Sequence, residues 1–261
     1  MKKIISILYL LTYLHISILS HSQSIDRSVI ASGGGYYTSA NASLSWTLGE
    51  SVTQTFQSAV NTLTQGFQQP YRLNVNLKYF IQGYYDAAGL MRPVLYNQGK
   101  PNAITDADTV TIELHNITAP FAMAHTFTGV LKTDGTIACL FPNASEGQTY
   151  YIGLKHRNAV QTWSANPVTL SNVVYDFTTH ANKAYGDNQV LVDANIYAIY
   201  SGDINLDENA DLVDLNSIES DITTFAYGYI ATDINGDGNV DLLDSPIEEV
   251  NINNFIYAMH P

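Results

Sequence analysis

Hydrophobic and polar residues alternate along most of this chain, and the alternation has the two-residue period of half-buried strands. Leu73, Val75, Leu77 and Tyr79 alternate with Asn74, Asn76 and Lys78. Val110, Ile112 and Leu114 alternate with Thr111 and Glu113. Residues 127–131, 136–140, 149–155 and 173–177 predict further strands, with turn signals at Asp134-Gly135, Glu146-Gly147, Asn166-Pro167 and Gly186-Asp187. About seven short strands at this spacing predict an Ig-like or prealbumin-like β-sandwich over residues 72–198. Residues 23–71 are also β-rich, with Leu44, Trp46 and Leu48 alternating after a glycine triplet at Gly33–Gly35. The period changes only near the C-terminus. There Leu215, Ile218, Ile222 and Phe225 fall on one helical face, and Ile247, Val250 and Phe255 on another. The fold class expected is mainly β, with a small α module over residues 199–261.

Each helical stretch follows an acidic loop, and the two loops are copies. Asp203–Asp214 reads DINLDENADLVD and Asp233–Asp244 reads DINGDGNVDLLD, an offset of 30 residues. Loop positions one, three, five, nine and twelve carry Asp203, Asn205, Asp207, Asp211 and Asp214, and again Asp233, Asn235, Asp237, Asp241 and Asp244. Position seven, whose backbone carbonyl would serve as a ligand, is Asn209 and Asn239. A hard cation such as calcium takes six to eight oxygens at about 2.3–2.6 Å, and a twelve-residue loop supplies them at this spacing. Two Ca2+ ions are expected. Position six favours glycine, which Gly238 provides and Glu208 does not, so the second loop is the better match. The competing reading is a solvated acidic turn, since Asp and Asn also tolerate turn conformations. Strand character at 195–200 and Gly228 before the second loop leave no incoming helix for either loop. The two units are expected to pack about a pseudo-twofold axis that buries Phe225, Tyr227, Phe255 and Tyr257.

Charge sharpens the division. No Lys or Arg occurs after Lys183, while fifteen of the 24 carboxylates do. That acidity opposes nucleic acid and anionic membranes as partners. It also makes a cation among the aspartates favourable, because like charges about 4 Å apart repel by about 1 kcal/mol even in water. Lys2 and Lys3 followed by the mostly apolar Ile4–Leu19 read as a signal peptide over residues 1–22, cleaved before Gln23. The mature chain is expected to be secreted or on the cell surface, with no membrane span. Cys139, the only cysteine, is expected to be a buried small hydrophobe.

No catalytic pattern emerges: there is no Gly-x-Ser-x-Gly elbow and no His-Glu-x-x-His. Lys155-His156-Arg157-Asn158 with Trp163, together with Tyr84, Tyr85 and Tyr96, could form a sugar-binding platform. A solvated strand end with packed aromatics is the plainer reading.

A duplicated calcium loop followed by a single helix resembles the dockerin fold, over about Gly202–Pro261. The resemblance implies calcium-dependent folding. In cellulosomal enzymes, dockerins bind cohesins through Ser/Thr pairs at loop positions ten and eleven. Here those positions hold Leu212-Val213 and Leu242-Leu243, a departure that puts a cohesin partner in doubt. Residues 28–35 (SVIASGGG), 63–70 (LTQGFQQP), 80–86 (FIQGYYD) and 155–158 with Trp163, ahead of the loops, resemble secreted proteins of Bacteroidetes type. That likeness implies an exported, surface-associated or secreted protein and points to no known reaction. The expected function is calcium binding with adhesion or interaction at the cell exterior, through a protein partner or a surface glycan. The alternative is a carbohydrate-binding or scaffold-docked accessory protein of polysaccharide degradation.

Overall fold

The computed structural model describes residues 73–141, 147–171 and 174–261, together with strand segments 33–39, 42–48, 55–57 and 62–64. The signal expected over residues 1–22 lies outside the described residues. The chain divides into two compact units, residues 1–69 and 70–261. In the first, β1 (Gly33–Ser39) pairs antiparallel with β2 (Ala42–Leu48), and β3 (Thr55–Gln57) with β4 (Thr62–Thr64).

The second unit is mainly β. It runs β5 (Leu73–Lys78), β6 (Tyr85–Ala87), β7 (Leu90–Met91), α1 (Val94–Asn97), β8 (Asp106–His115), β9 (Met123–Lys132) and β10 (Thr136–Phe141). Then come β11 (Thr149–His156), β12 (Ala159–Trp163), β13 (Val168–Thr169), β14 (Tyr175–Asp176), β15 (Val190–Asp193), β16 (Ile196–Ala198), α2 (Leu212–Thr224) and α3 (Ser245–Asn253). One sheet has the order β12-β11-β8-β9, with β13 paired to β11. The other has the order β10-β5-β14, in which β5 and β10 are antiparallel and β14 runs parallel to β5. The Asp134-Gly135 turn joins β9 to β10 and so carries the chain from one sheet to the other, with Gly135 at φ +82°.

The alternation explains the core. Val110, Ile112 and Leu114 of β8 and Ile152 and Leu154 of β11 turn inward, toward Val75 and Leu77 of β5 and Ile137, Cys139 and Phe141 of β10. Cys139 is fully buried, and burial pushes its thiol up to about 12.

Three expectations are corrected here. Trp163 is 6% exposed and lies against the His115 ring, tilted by 38° with centroids 4.0 Å apart, while Tyr84 is fully buried; neither offers a face to a sugar. The segment 155–158 is no solvated strand end, since His156 and Asn158 are buried and Arg157 is held in an ion pair. Phe225, Tyr227, Phe255 and Tyr257 are not buried between two units; Phe225 is 86% and Phe255 82% exposed.

The apolar helix positions divide differently from the sequence expectation. Ile218 packs with Ile234 and Val240 in a small cluster, backed by Ile204, Ile222 and Ile247. The two phenylalanines instead sit at the helix C-termini in left-handed conformation, at φ +54° and +53°. That terminal geometry, usually glycine's, turns their side chains away from the helix face that Ile218 occupies.

Candidate metal centre

The two acidic loops share a repeated set of internal hydrogen bonds. In the first, the Asp203 carboxylate accepts from the backbone N–H groups of Asp207 (3.0 Å) and Glu208 (3.1 Å). In the second, Asp233 accepts from Asp237 (3.2 Å) and Gly238 (3.0 Å). Asn205 Oδ1 accepts from Asp207 N (2.8 Å), and Asn235 Oδ1 from Asp237 N (2.9 Å). Asp207 accepts from Asn209 N, and Asp237 from Asn239 N. Asp214 spans its loop, accepting from Asn205 N (3.0 Å) on one oxygen and Asp211 N (3.0 Å) on the other. Asp244 does the same with Asn235 N and Asp241 N, both at 3.0 Å. Asp211 and Asp241 each accept from the backbone N–H two residues on.

The backbone keeps this course where the sequences differ. Position six is left-handed in both loops, at φ +75° for Glu208 and +96° for Gly238. Position four is left-handed too, at +61° for Leu206 and +74° for Gly236. A side chain held in this region costs on the order of 1 kcal/mol or more, so the first loop carries strain that the second avoids.

Each loop is closed by the other repeat. Asn209 bridges Tyr257, and Asn239 bridges Tyr227, both antiparallel. Ala210 N donates to Ile256 O, and Val240 N to Ala226 O, each at 3.0 Å. The segment after α3 therefore lies on the first loop, and the segment after α2 on the second.

The second loop is also held by the β-sheets' own connections. Arg92 donates to Asn235 Oδ1 (2.8 Å) and to its carbonyl (3.0 Å). Gln98 donates to Asp233 Oδ2 (2.9 Å), and Asn158 to the Ala231 and Asp233 carbonyls (3.1 Å each). Residues 72–198 and 199–261 thus pack within one compact unit.

The electrostatics suit a cation. Asp203, Asp214, Asp233 and Asp244 are buried. Burial, with the charge of Asp214 nearby, pushes the Asp203 carboxyl up to about 6; burial and Asp244 do the same to Asp233. Burial likewise raises Asp214 and Asp244. Among the described residues, the only ion-pair contact to the first loop is from His260 to the exposed Glu208, at 3.6 Å. Every side-chain donor in the two sets is oxygen, which suits a hard cation rather than zinc or copper. Among the described residues no three His, Cys, Asp or Glu side chains converge as a metal cluster. The expected ligand sets mix carboxylates with Asn amide and backbone oxygens, and the carboxylates are turned here toward backbone N–H groups.

Sequence reasoning missed a second polar centre. Asp108, fully buried in β8, accepts on Oδ2 from Tyr84 Oη (3.0 Å), His156 Nε2 (3.1 Å) and Arg157 Nε (3.0 Å). Its Oδ1 accepts from Thr109 N (2.6 Å) and from Tyr229 Oη. Burial alone would raise the Asp108 carboxyl, yet His156 and Arg157 hold it well below the usual range. Burial and Asp108 push Tyr229 up to about 12. Arg157 also lies 4.3 Å from the Tyr229 ring centroid and donates to Ile230 O. Only the proximity of Tyr229 to the second loop could have hinted at this link.

No protein-family model matches the chain, and no curated protein matches it. Among solved structures, an N-terminal interface mutant of a type II cohesin–X-dockerin complex from Acetivibrio cellulolyticus is similar at 14% identity and a TM-score of 0.41, covering 70% of this chain and 97% of that one. A C-terminal interface mutant of the complex from the same organism is similar at 15% identity and a TM-score of 0.41, covering 68% and 95%. Likeness at that level decides neither fold nor function.

Proposed function

We propose that this is an exported, non-catalytic calcium-binding protein in which residues 199–261 form a dockerin-like module. Two Ca2+ ions are held by Asp203, Asn205, Asp207, Asn209, Asp211 and Asp214, and by Asp233, Asn235, Asp237, Asn239, Asp241 and Asp244. The observation that carries this reading is the set of hydrogen bonds repeated at an offset of 30 residues, which gives both loops one curled backbone despite Glu208. The ions' role is structural: they neutralise buried aspartates and fix both loops. The basic, apolar N-terminus supports export to the cell exterior.

The biological role is interaction with a protein partner. Phe225 and Phe255 are exposed in a strained left-handed conformation, and Leu212, Val213, Leu242 and Leu243 are exposed at loop positions ten and eleven. Strain kept at an exposed aromatic residue points toward use. The partner's surface is apolar at its centre rather than built for Ser/Thr pairs, which separates it from cohesins that read such pairs.

Calcium titration of the chelator-treated protein, followed by calorimetry and by near-UV circular dichroism of the tyrosines, tests the metal reading. Two ions bound, with a change in the tyrosine signal, is the expected result. No heat and no spectral change at millimolar calcium sinks it.

A further inference from the structure

Glu248 lies in α3, is fully buried, and neither of its carboxylate oxygens meets a hydrogen-bond donor. Among the described residues it is the only acidic side chain buried in this state. Its counterpart 30 residues earlier is Ile218, also fully buried, which packs beneath the second loop against Ile234 and Val240. Glu248 takes the matching place beneath the first loop.

Two further breaks in the duplication make room for it. Ala210 stands where the second repeat has Val240, and Gly202 where it has Thr232. A Cβ on Gly202 would lie 1.9 Å from Glu248 Oε2 and 3.3 Å from the Ala210 Cβ. Three positions therefore differ together between the repeats: a carboxyl stands where the other repeat has an apolar plug, and the two residues above it are smaller. The charges that act on this carboxyl are those of Asp214, Asp203 and Asp211, all of the first loop. Burying a charged carboxylate beside three others is strongly unfavourable unless it takes up a proton or a cation compensates the cluster.

We propose that Glu248 is an acidic determinant of cation binding at the first loop, supplied from the second repeat, so that the ion at Asp203–Asp214 ties α3 to the opposite loop. This rests on the calcium reading above. The second loop has no such residue, because Ile218 occupies the place. The first site thereby gains a negative charge where it lacks the glycine of position six.

The test uses the full chain and Ca2+ alone. Asp233→Asn silences the second loop, so the remaining isotherm reports the first. On that background Glu248→Gln is expected to weaken binding about tenfold or more, as removal of a nearby charge in a low-dielectric site should. Glu248→Ile restores the residue type of Ile218; it is expected to raise the melting temperature in EDTA while weakening the ion equally. It also serves if Glu248→Gln folds poorly. Affinity within twofold of the parent for both variants overturns the proposal and leaves Glu248 a buried structural acid. If the unmutated chain binds no calcium at all, the calcium reading itself is lost, an outcome separate from that one.

Discussion

Tyr229 donates its hydroxyl hydrogen bond to Asp108, joining the approach to the second acidic loop to the middle of the larger sheet across 121 residues of sequence. The same carboxylate holds Arg157, which in turn donates to Ile230 O. One buried charge therefore organises both the sheet and the entry to the loop.

Removing that charge should be costly. Asp108→Ala leaves Arg157 facing a buried void, and truncating one partner of a buried pair typically costs about 3–5 kcal/mol. The substitution is expected to lower the denaturation midpoint of the whole 70–261 unit, with sheet and loops lost together by far-UV and near-UV dichroism. Loops lost well before the sheet would argue that the two are independent.

Acid should act through the same group. The folded Asp108 carboxyl is held below its ordinary value, so the unfolded chain takes up a proton first as pH falls. Its stabilisation is present above about pH 4 and declines below it. Asp108→Asn is expected to flatten this acid limb in a pH series of thermal melts.

The loop aspartates carry the opposite sign. Asp203 and Asp233 are raised to about 6 in the folded, metal-free chain, so they favour folding while protonated. Their contribution is present below the ordinary carboxylate range and is lost as pH rises through about 6. In EDTA the melting temperature should fall between about pH 4 and pH 7. Calcium at about a hundred times its dissociation constant should restore roughly 2.7 kcal/mol at neutral pH. Identical pH profiles with and without calcium would count against metal in the loops.

Exposed and buried apolar residues of the two repeats should separate cleanly. Ile218→Ala removes a fully buried side chain and is expected to cost about 2–5 kcal/mol. Phe225→Ser and Phe255→Ser touch side chains more than four-fifths exposed, and should change unfolding free energy by less than about 0.5 kcal/mol. A large loss from either phenylalanine would mean that it packs in solution.

Gly83 gives a test of the seam itself. A Cβ there would sit 2.2 Å from the Ile234 carbonyl oxygen, inside the second loop. Gly83→Ala is expected to weaken calcium at that loop while leaving the first intact, as read by calorimetry with Asp203→Asn as the reciprocal control.

The period-two alternation made β5, β8, β10 and β11 legible, because one face of each strand meets the shared core. The 30-residue echo made the loop positions legible, because their bonds run between near neighbours. Long-range pairing was not legible. Nothing local in Lys155-His156-Arg157-Asn158 shows that Arg157 will meet Asp108 rather than water. Phe225 and Phe255 misled for another reason: helical spacing placed them on the packed face, but they lie one and two residues past the ends of their helices, where the chain turns left-handed. Trp163 misled because an aromatic beside basic residues looks the same whether its face is open or packed against His115.

The crossed closure of the loops has a consequence for how the chain matures. Residues 226–228, which lie on the second loop, precede it, so that loop can close as soon as it has emerged. Residues 256–258, which lie on the first loop, are made more than forty residues after it. The earlier copy of the motif must therefore wait for the later one, and the two complete themselves in the reverse of the order in which the ribosome writes them.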